Sequence, residues 1–190
     1  MMFEKIRQNI EQYLHFTDAE FKIFTDQLVV RTLKKQEVIV REGDVCRYVG
    51  FINNGLFRCF SLTNDGNERI EHFGVTGEFI SEYPSFPNQI PARQTIEAIR
   101  DSEILLLSYD SLQILLENAK IERLLRLLSE DISAQNRILI NDIRHSTPEE
   151  RYKYFLQKRP DIMAQVSQHY IANYLGMTPV SLSRIRRRIM

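Results

Sequence analysis

The chain has 190 residues, 43% of them apolar and 26% charged, enough to bury the core of one domain or of two small ones. No apolar run approaches the ~20 residues of a membrane span. The opening MMFEKIRQNIEQYLHF has no continuous hydrophobic region of the signal-peptide kind, so no membrane partner is expected and a cytoplasmic location is.

Residues 3–28 carry helical spacing. Phe3, Ile6, Ile10 and Leu14 share one face, and Phe21, Phe24 and Leu28 predict a second short helix with Thr17 as its N-cap. From Val29 to Leu107 the pattern turns to short β-rich runs divided by turn residues. These runs are Val38–Val40, Tyr48–Ile52, Leu56–Leu62, Glu68–Phe73, Thr95–Ile99 and Glu103–Leu107. Asn53-Asn54-Gly55 and Asn64-Asp65-Gly66 read as hairpin turns, because Asn and Gly tolerate positive φ. Short strands at this spacing predict a small antiparallel barrel or sandwich. Cys46 and Cys59 form no CxxC pair and support neither a disulfide framework nor a zinc site. They are expected in strands, as small buried apolar residues.

After Ser108 the pattern is helical to about Arg144. Ile121, Leu125, Leu128, Ile132, Gln135 and Leu139 form a heptad seam, open to two readings: a helix packed on its own sheet, or a dimer helix in which Gln135 favours one register. Thr147-Pro148-Glu149-Glu150 then opens a new helix with a capping box, and Arg159-Pro160-Asp161 stops it.

Charge is unevenly spread. From Arg151 to Met190 eight Arg and Lys face one acid, Asp161, a net of +7, so the first 150 residues carry −7. An acidic body with a basic terminal module points to nucleic acid at that end. Within it, QHYIANYLGMTPVSLSRIRRR (168–188) has the spacing of a helix-turn-helix. Ile171 and Leu175 line the inner face of a first helix, and Ala172 is small where two helices cross. Gly176 takes the turn, Thr178 caps a second helix with Pro179 at its first position, and Leu182 and Ile185 face inward.

The outer face of the second helix presents Pro179, Val180, Ser181, Ser183, Arg184 and Arg187. Arg184 suits guanine O6 and N7 or a phosphate, Val180 a thymine methyl, and the serines phosphates. Arg186, Arg187 and Arg188 supply charge that releases counterions. His169 and Tyr170 are candidate backbone contacts. Met190 follows almost directly on Arg188, so no β-hairpin wing is expected after this helix, and Arg184 to Arg188 should carry more of the phosphate binding. No GxSxG, P-loop, HExxH or GxGxxG is present and the carboxylates form no obvious pair, so nothing points to an enzyme.

On these residues the chain resembles the CRP/FNR family of bacterial transcription regulators, and in style its Bacteroidetes members. VIVREGDVCRYVGFINNGLFRCFSLTNDGNERIEHFGVTGEFISE is similar to the glycine turns of that family's cyclic-nucleotide-binding β-roll. The resemblance implies an α+β chain: an antiparallel, cyclic-nucleotide-binding-like β-roll with flanking helices over 1–110, a long dimerisation helix over 111–145, and a helix-turn-helix domain over 146–190. It implies a homodimer on double-stranded promoter DNA, with RNA polymerase and a small-molecule effector as further partners.

The implied effector residues are Gly77, Glu78, Phe79 and Ile80 of a Gly-Glu cassette, with Arg93, Gln94 and Thr95. This cassette departs from the family. Ala92 falls at the arginine position and Arg93 at the hydroxyl position, and a one-residue shift restores Arg93 but leaves Gln94 for Ser or Thr. Both registers argue against cyclic AMP and leave the effector unassigned. Two cysteines fall short of the four an iron–sulfur cluster needs, and His72, read as a partly exposed sheet residue, makes a poor haem ligand. No metal, haem or cluster is therefore expected. An alternative is a sensor or scaffold whose C-terminal module meets protein, since Pro179 and Val180 are apolar for a DNA-reading face.

Overall fold

The computed structural model describes the backbone of residues 2–144 and 146–189, and side chains outside 135–144. Two short helices open the chain, α1 (Glu4–Ile10) and α2 (Asp18–Thr25). Thr17 caps α2 in a full capping box with Glu20, as its sequence predicts. Leu14 lies beyond α1, and Leu28, expected in the second helix, instead begins a strand.

Eight strands follow: β1 (Leu28–Leu33), β2 (Val38–Val40), β3 (Tyr48–Asn54), β4 (Leu56–Leu62), β5 (Glu68–Val75), β6 (Phe79–Ile80), β7 (Thr95–Ala98) and β8 (Ser102–Ser108). A one-turn helix, α3 (Ser85–Asn88), interrupts them. They form two antiparallel four-stranded sheets, ordered β1-β8-β3-β6 and β2-β7-β4-β5. Asn64-Asp65-Gly66 closes the β4–β5 hairpin, with Gly66 at φ +76°. Asn53-Asn54-Gly55 does not close one: β3 pairs with β6 and β8, whereas β4 pairs with β5 and β7. Gly55 is the corner between the sheets, and a Cβ there would run into the Ser102 side chain. The corner leaves the sheets face to face over a core that includes Leu33, Ile52, Phe57, Ile96, Ile104 and Leu106. Cys59 faces this core from β4, and Cys46 is equally buried but lies in a loop, not a strand.

Helical structure resumes as α4 (Tyr109–Leu116) and α5 (Ala119–Arg144). The expected single helix is broken at Asn118, whose side chain accepts from the Lys120 and Ile121 N–H groups and restarts the chain as an N-cap. At 26 residues α5 is about 39 Å long. Ile121, Leu124 and Leu128 pack with Ile6, Ile10, Phe16, Phe21 and Phe24, so the first half of the seam belongs to the chain's own core. Lys120 ties this half to Glu20 of α2 at 2.8 Å, and Tyr13 donates to Asp131 at 2.6 Å. Ile132 is 40% exposed, whereas Ile121 and Leu128 are buried. Gln135 and Leu139 lie outside the described side chains. No helix among the described residues is long and apolar enough to cross a membrane.

Candidate nucleic-acid interface

Four helices build the C-terminal head: α6 (Pro148–Lys158), α7 (Pro160–Gln165), α8 (Gln168–Tyr174) and α9 (Pro179–Ile189). Thr147 and Glu150 close the expected capping box of α6. Pro160 ends α6 but also starts α7, a helix the turn signal hid. Between α8 and α9, Gly176 sits at φ +67°, and the Met177 N–H reaches back to the Ala172 carbonyl at 2.9 Å. Ala172 is fully buried where the helices cross, with Ile171, Leu175, Leu182 and Ile185 around it. Thr178 Oγ1 accepts from the Ser181 N–H at 3.1 Å and caps α9.

This packing settles which way α9 faces. Leu182 and Ile185 are buried, while Thr178, Pro179, Val180, Arg184, Arg187 and Arg188 are exposed, with Ser181 and Ser183 half-buried beside them. His169, at the start of α8, is also exposed. The first turn of α9 holds no acid, so its N-terminal N–H groups and its arginines offer one positive surface. Arg184 makes no ion pair among the described residues, whereas Arg188 reaches Glu149 at 3.4 Å. Among the described residues, no ion pair of Arg184 has to break for it to meet a partner.

The head does not hang free. Its core is continuous with the outer face of the second sheet: Leu56, Phe60, Ile70 and Phe73 pack among Tyr152, Phe155, Ile162, Val166 and Ile171. Along β4 the residues alternate, Phe57 and Cys59 facing the roll interior, Leu56, Arg58 and Phe60 facing the head. Arg58 is buried, paired with Glu68 and Glu97, its guanidinium 4.2 Å from the Phe60 ring centre and 4.7 Å from that of Tyr170. Tyr170, a candidate DNA contact by sequence, is thus engaged by the roll.

The expected effector residues fall in two segments of the roll. Gly77 and Glu78 form the β5–β6 turn, where Glu78 pairs with Arg159 of the head at 3.1 Å and accepts from the Val75 N–H at 3.0 Å. Phe79 packs edge-on against Phe51, and Ile80 is buried in the roll. In the other segment Thr95 caps the Glu42 N–H, Arg93 is exposed, and Ala92 takes the inward position. No hydrogen bond or ion pair joins the two segments among the described residues. Two of the buried polar residues of the roll lie outside both segments: Glu82, 3% exposed, accepts from the Ser85 N–H, and Ser85 Oγ accepts from the Cys46 N–H. Burial pushes the Cys59 thiol up to about 12, so it is a neutral apolar neighbour of this cluster. Among the described residues no group of His, Cys, Asp and Glu could hold a metal ion.

His72 of β5 is half-buried beside Arg159. Burial first, and then the Arg159 charge, lower its pKa to about 4. Burial raises that of Glu78, against the pull of Arg159. The folded His72 value lies below that of a free histidine, about 6.5, so the unfolded chain takes up the proton first. His72 therefore costs no stability above about pH 6.5, and the fold loses stability as pH falls from about 6.5 to about 4. Tm measured across that window should drop with pH, and His72→Gln should flatten the drop. An unchanged slope in the variant would show that other groups set it.

The chain is thus a two-sheet roll joined to a helix-turn-helix with an exposed basic face. Comparison with known proteins agrees. The model of the cyclic nucleotide-binding domain matches residues 30–119. The transcriptional activator protein FnrA of Stutzerimonas stutzeri is 27% identical over 170 residues, which covers 83% of this chain and 69% of that protein. The structure of FixK2 from Bradyrhizobium japonicum has a TM-score of 0.69 at 22% identity, covering 85% of this chain and 84% of that one. The Thermus thermophilus catabolite activator protein has a TM-score of 0.57 at 18% identity, covering 95% and 86%. Residues 30–119 are thus similar to a cyclic nucleotide-binding domain, most of the chain is similar to the FNR and Anr transcriptional regulators, and its fold is that of CRP/FNR-type structures.

Proposed function

We propose that the chain is a sequence-specific DNA-binding transcription regulator that acts as a homodimer. The observation that carries this reading is the face of α9: Pro179, Val180, Arg184 and Arg187 stand exposed on a helix whose opposite side is locked by Ala172, Leu182 and Ile185. A helix held this way inserts its N-terminal residues into the major groove. Arg184 reads a base edge, Ser181, Ser183, Arg187, Arg188 and His169 meet phosphates, and Val180 meets an apolar base group. Titration of promoter duplexes against increasing salt tests this. Specific binding with log K falling linearly in log salt supports it, and no duplex binding overturns it. The apolar Val180, 60% exposed, favours a protein partner as the competing reading, and a salt-independent protein complex without DNA binding would establish that instead.

The dimer contact is assigned to the outer part of α5. Ile121 and Leu128 are consumed by the chain's own core and Leu125 packs against it, which leaves the exposed Ile132 for a second copy. Ile132→Glu should shift the sedimenting species from dimer to monomer, and a variant that sediments as the wild-type dimer would place the contact elsewhere.

The roll is the site for a small-molecule effector. Cyclic AMP is not the one its residues favour, because the inward residue at the cassette's arginine position is Ala92. A melting panel of nucleotides and metabolites identifies the ligand, since one that binds only the native state raises Tm.

A further inference from the structure

In the second sheet β5 is an edge strand, hydrogen-bonded only to β4. Its outer row of N–H and C=O groups faces α8 of the head. Asn173 lies on that helix, and its side-chain amide meets the edge twice: Oδ1 accepts from the Ile70 N–H at 2.7 Å, and Nδ2 donates to the Glu68 carbonyl at 2.8 Å. The two backbone groups belong to residues i and i+2 of the strand. One amide thus takes both bonds that a single residue of a further, parallel strand would take. Arg58 adds a second tie one strand inward, under the Tyr170 ring and between Glu68 and Glu97.

Both ties act on α8 and neither touches the reading face of α9, which stays exposed in the docked head. Docking therefore fixes the head without covering it. Resting on the DNA-reading function argued above, we propose that Asn173 is a positioning residue for DNA recognition. Its amide pins α8 to the edge of β5 and so sets the direction in which α9 is presented. Specific recognition needs α9 at a set angle and at a set distance from its copy in the dimer. Non-specific attraction to phosphate needs only the charge of Arg184 to Arg188. Freeing the head therefore lowers the first and leaves the second alone.

The test uses the full chain and two variants. Asn173→Ala removes both bonds, and Asn173→Asp keeps the acceptor for the Ile70 N–H but loses the donor to Glu68. Hydrogen exchange at the Ile70 amide reads the docking without DNA. It should quicken by roughly an order of magnitude or more in Asn173→Ala and by less in Asn173→Asp. Duplex titration, with circular dichroism and a cooperative melt confirming that each variant is folded, reads the consequence. The ratio of specific to non-specific affinity should fall about tenfold in Asn173→Ala, with an intermediate fall in Asn173→Asp and an unchanged salt slope.

A folded Asn173→Ala with faster exchange and an unchanged ratio overturns the positioning role. A raised specific affinity overturns it too, since the contact would then restrain the head. An Ile70 amide that exchanges at the wild-type rate in both variants overturns the docking itself. Should the wild type bind no duplex, the DNA reading fails and the positioning role with it, while exchange still reports the dock separately.

Discussion

Phe73→Ala should destabilise the whole chain by about 3–5 kcal/mol and abolish duplex binding, although Phe73 belongs to the roll and not to the reading helix. The ring is 1% exposed, lies 5.4 Å from that of Tyr174 and sits in the core shared with Phe155, Ile162 and Ile171. Residues 146–189 of the head are too few to bury a self-sufficient core, and the outer face of β4 and β5 completes it. Truncating Phe73 opens a cavity at the centre of that junction. Denaturant unfolding followed by circular dichroism measures the loss. A change below about 1 kcal/mol, or a separate early transition for the head, would show that roll and head do not share a core.

Arg184→Ala should weaken specific duplex binding by about 1–3 kcal/mol, which is roughly 5- to 150-fold. The side chain is exposed, without an ion pair among the described residues, and one turn along α9 from Val180. If Arg184 holds a guanine in the proposed bidentate way, the variant should also tolerate substitution of that one base pair. Arg187→Ala provides the contrast: a phosphate contact is lost uniformly across sequences, and the salt slope falls by about one. Equal losses from both variants on every duplex would reduce Arg184 to a phosphate clamp.

The parts legible in the sequence are those that local chemistry decides. Thr17 with Glu20 and Thr147 with Glu150 cap their helices because each box closes within four residues. Ala172, Gly176, Thr178, Leu182 and Ile185 are likewise constrained by neighbours within a dozen positions. What depended on distant partners was not legible. Asn54-Gly55 has the chemistry of a hairpin turn, yet the strands it joins enter different sheets. The heptad seam could not say that its first half is covered by α1 and α2, because those helices lie about a hundred residues earlier. Glu78 has the look of a ligand residue, but its partner Arg159 lies 81 positions along the chain. Asn173, an unremarked polar residue on a short helix, acquires its role from the unpaired edge of β5, 103 residues away.

Enrichment from a pool of random duplexes in the presence of competitor DNA tests α9 as a sequence-selective surface most directly. The account predicts recovery of a pseudo-palindromic site with half-sites about one helical turn apart, lost with Arg184→Ala. A pool that remains random after repeated rounds, with the wild-type chain folded, would contradict it.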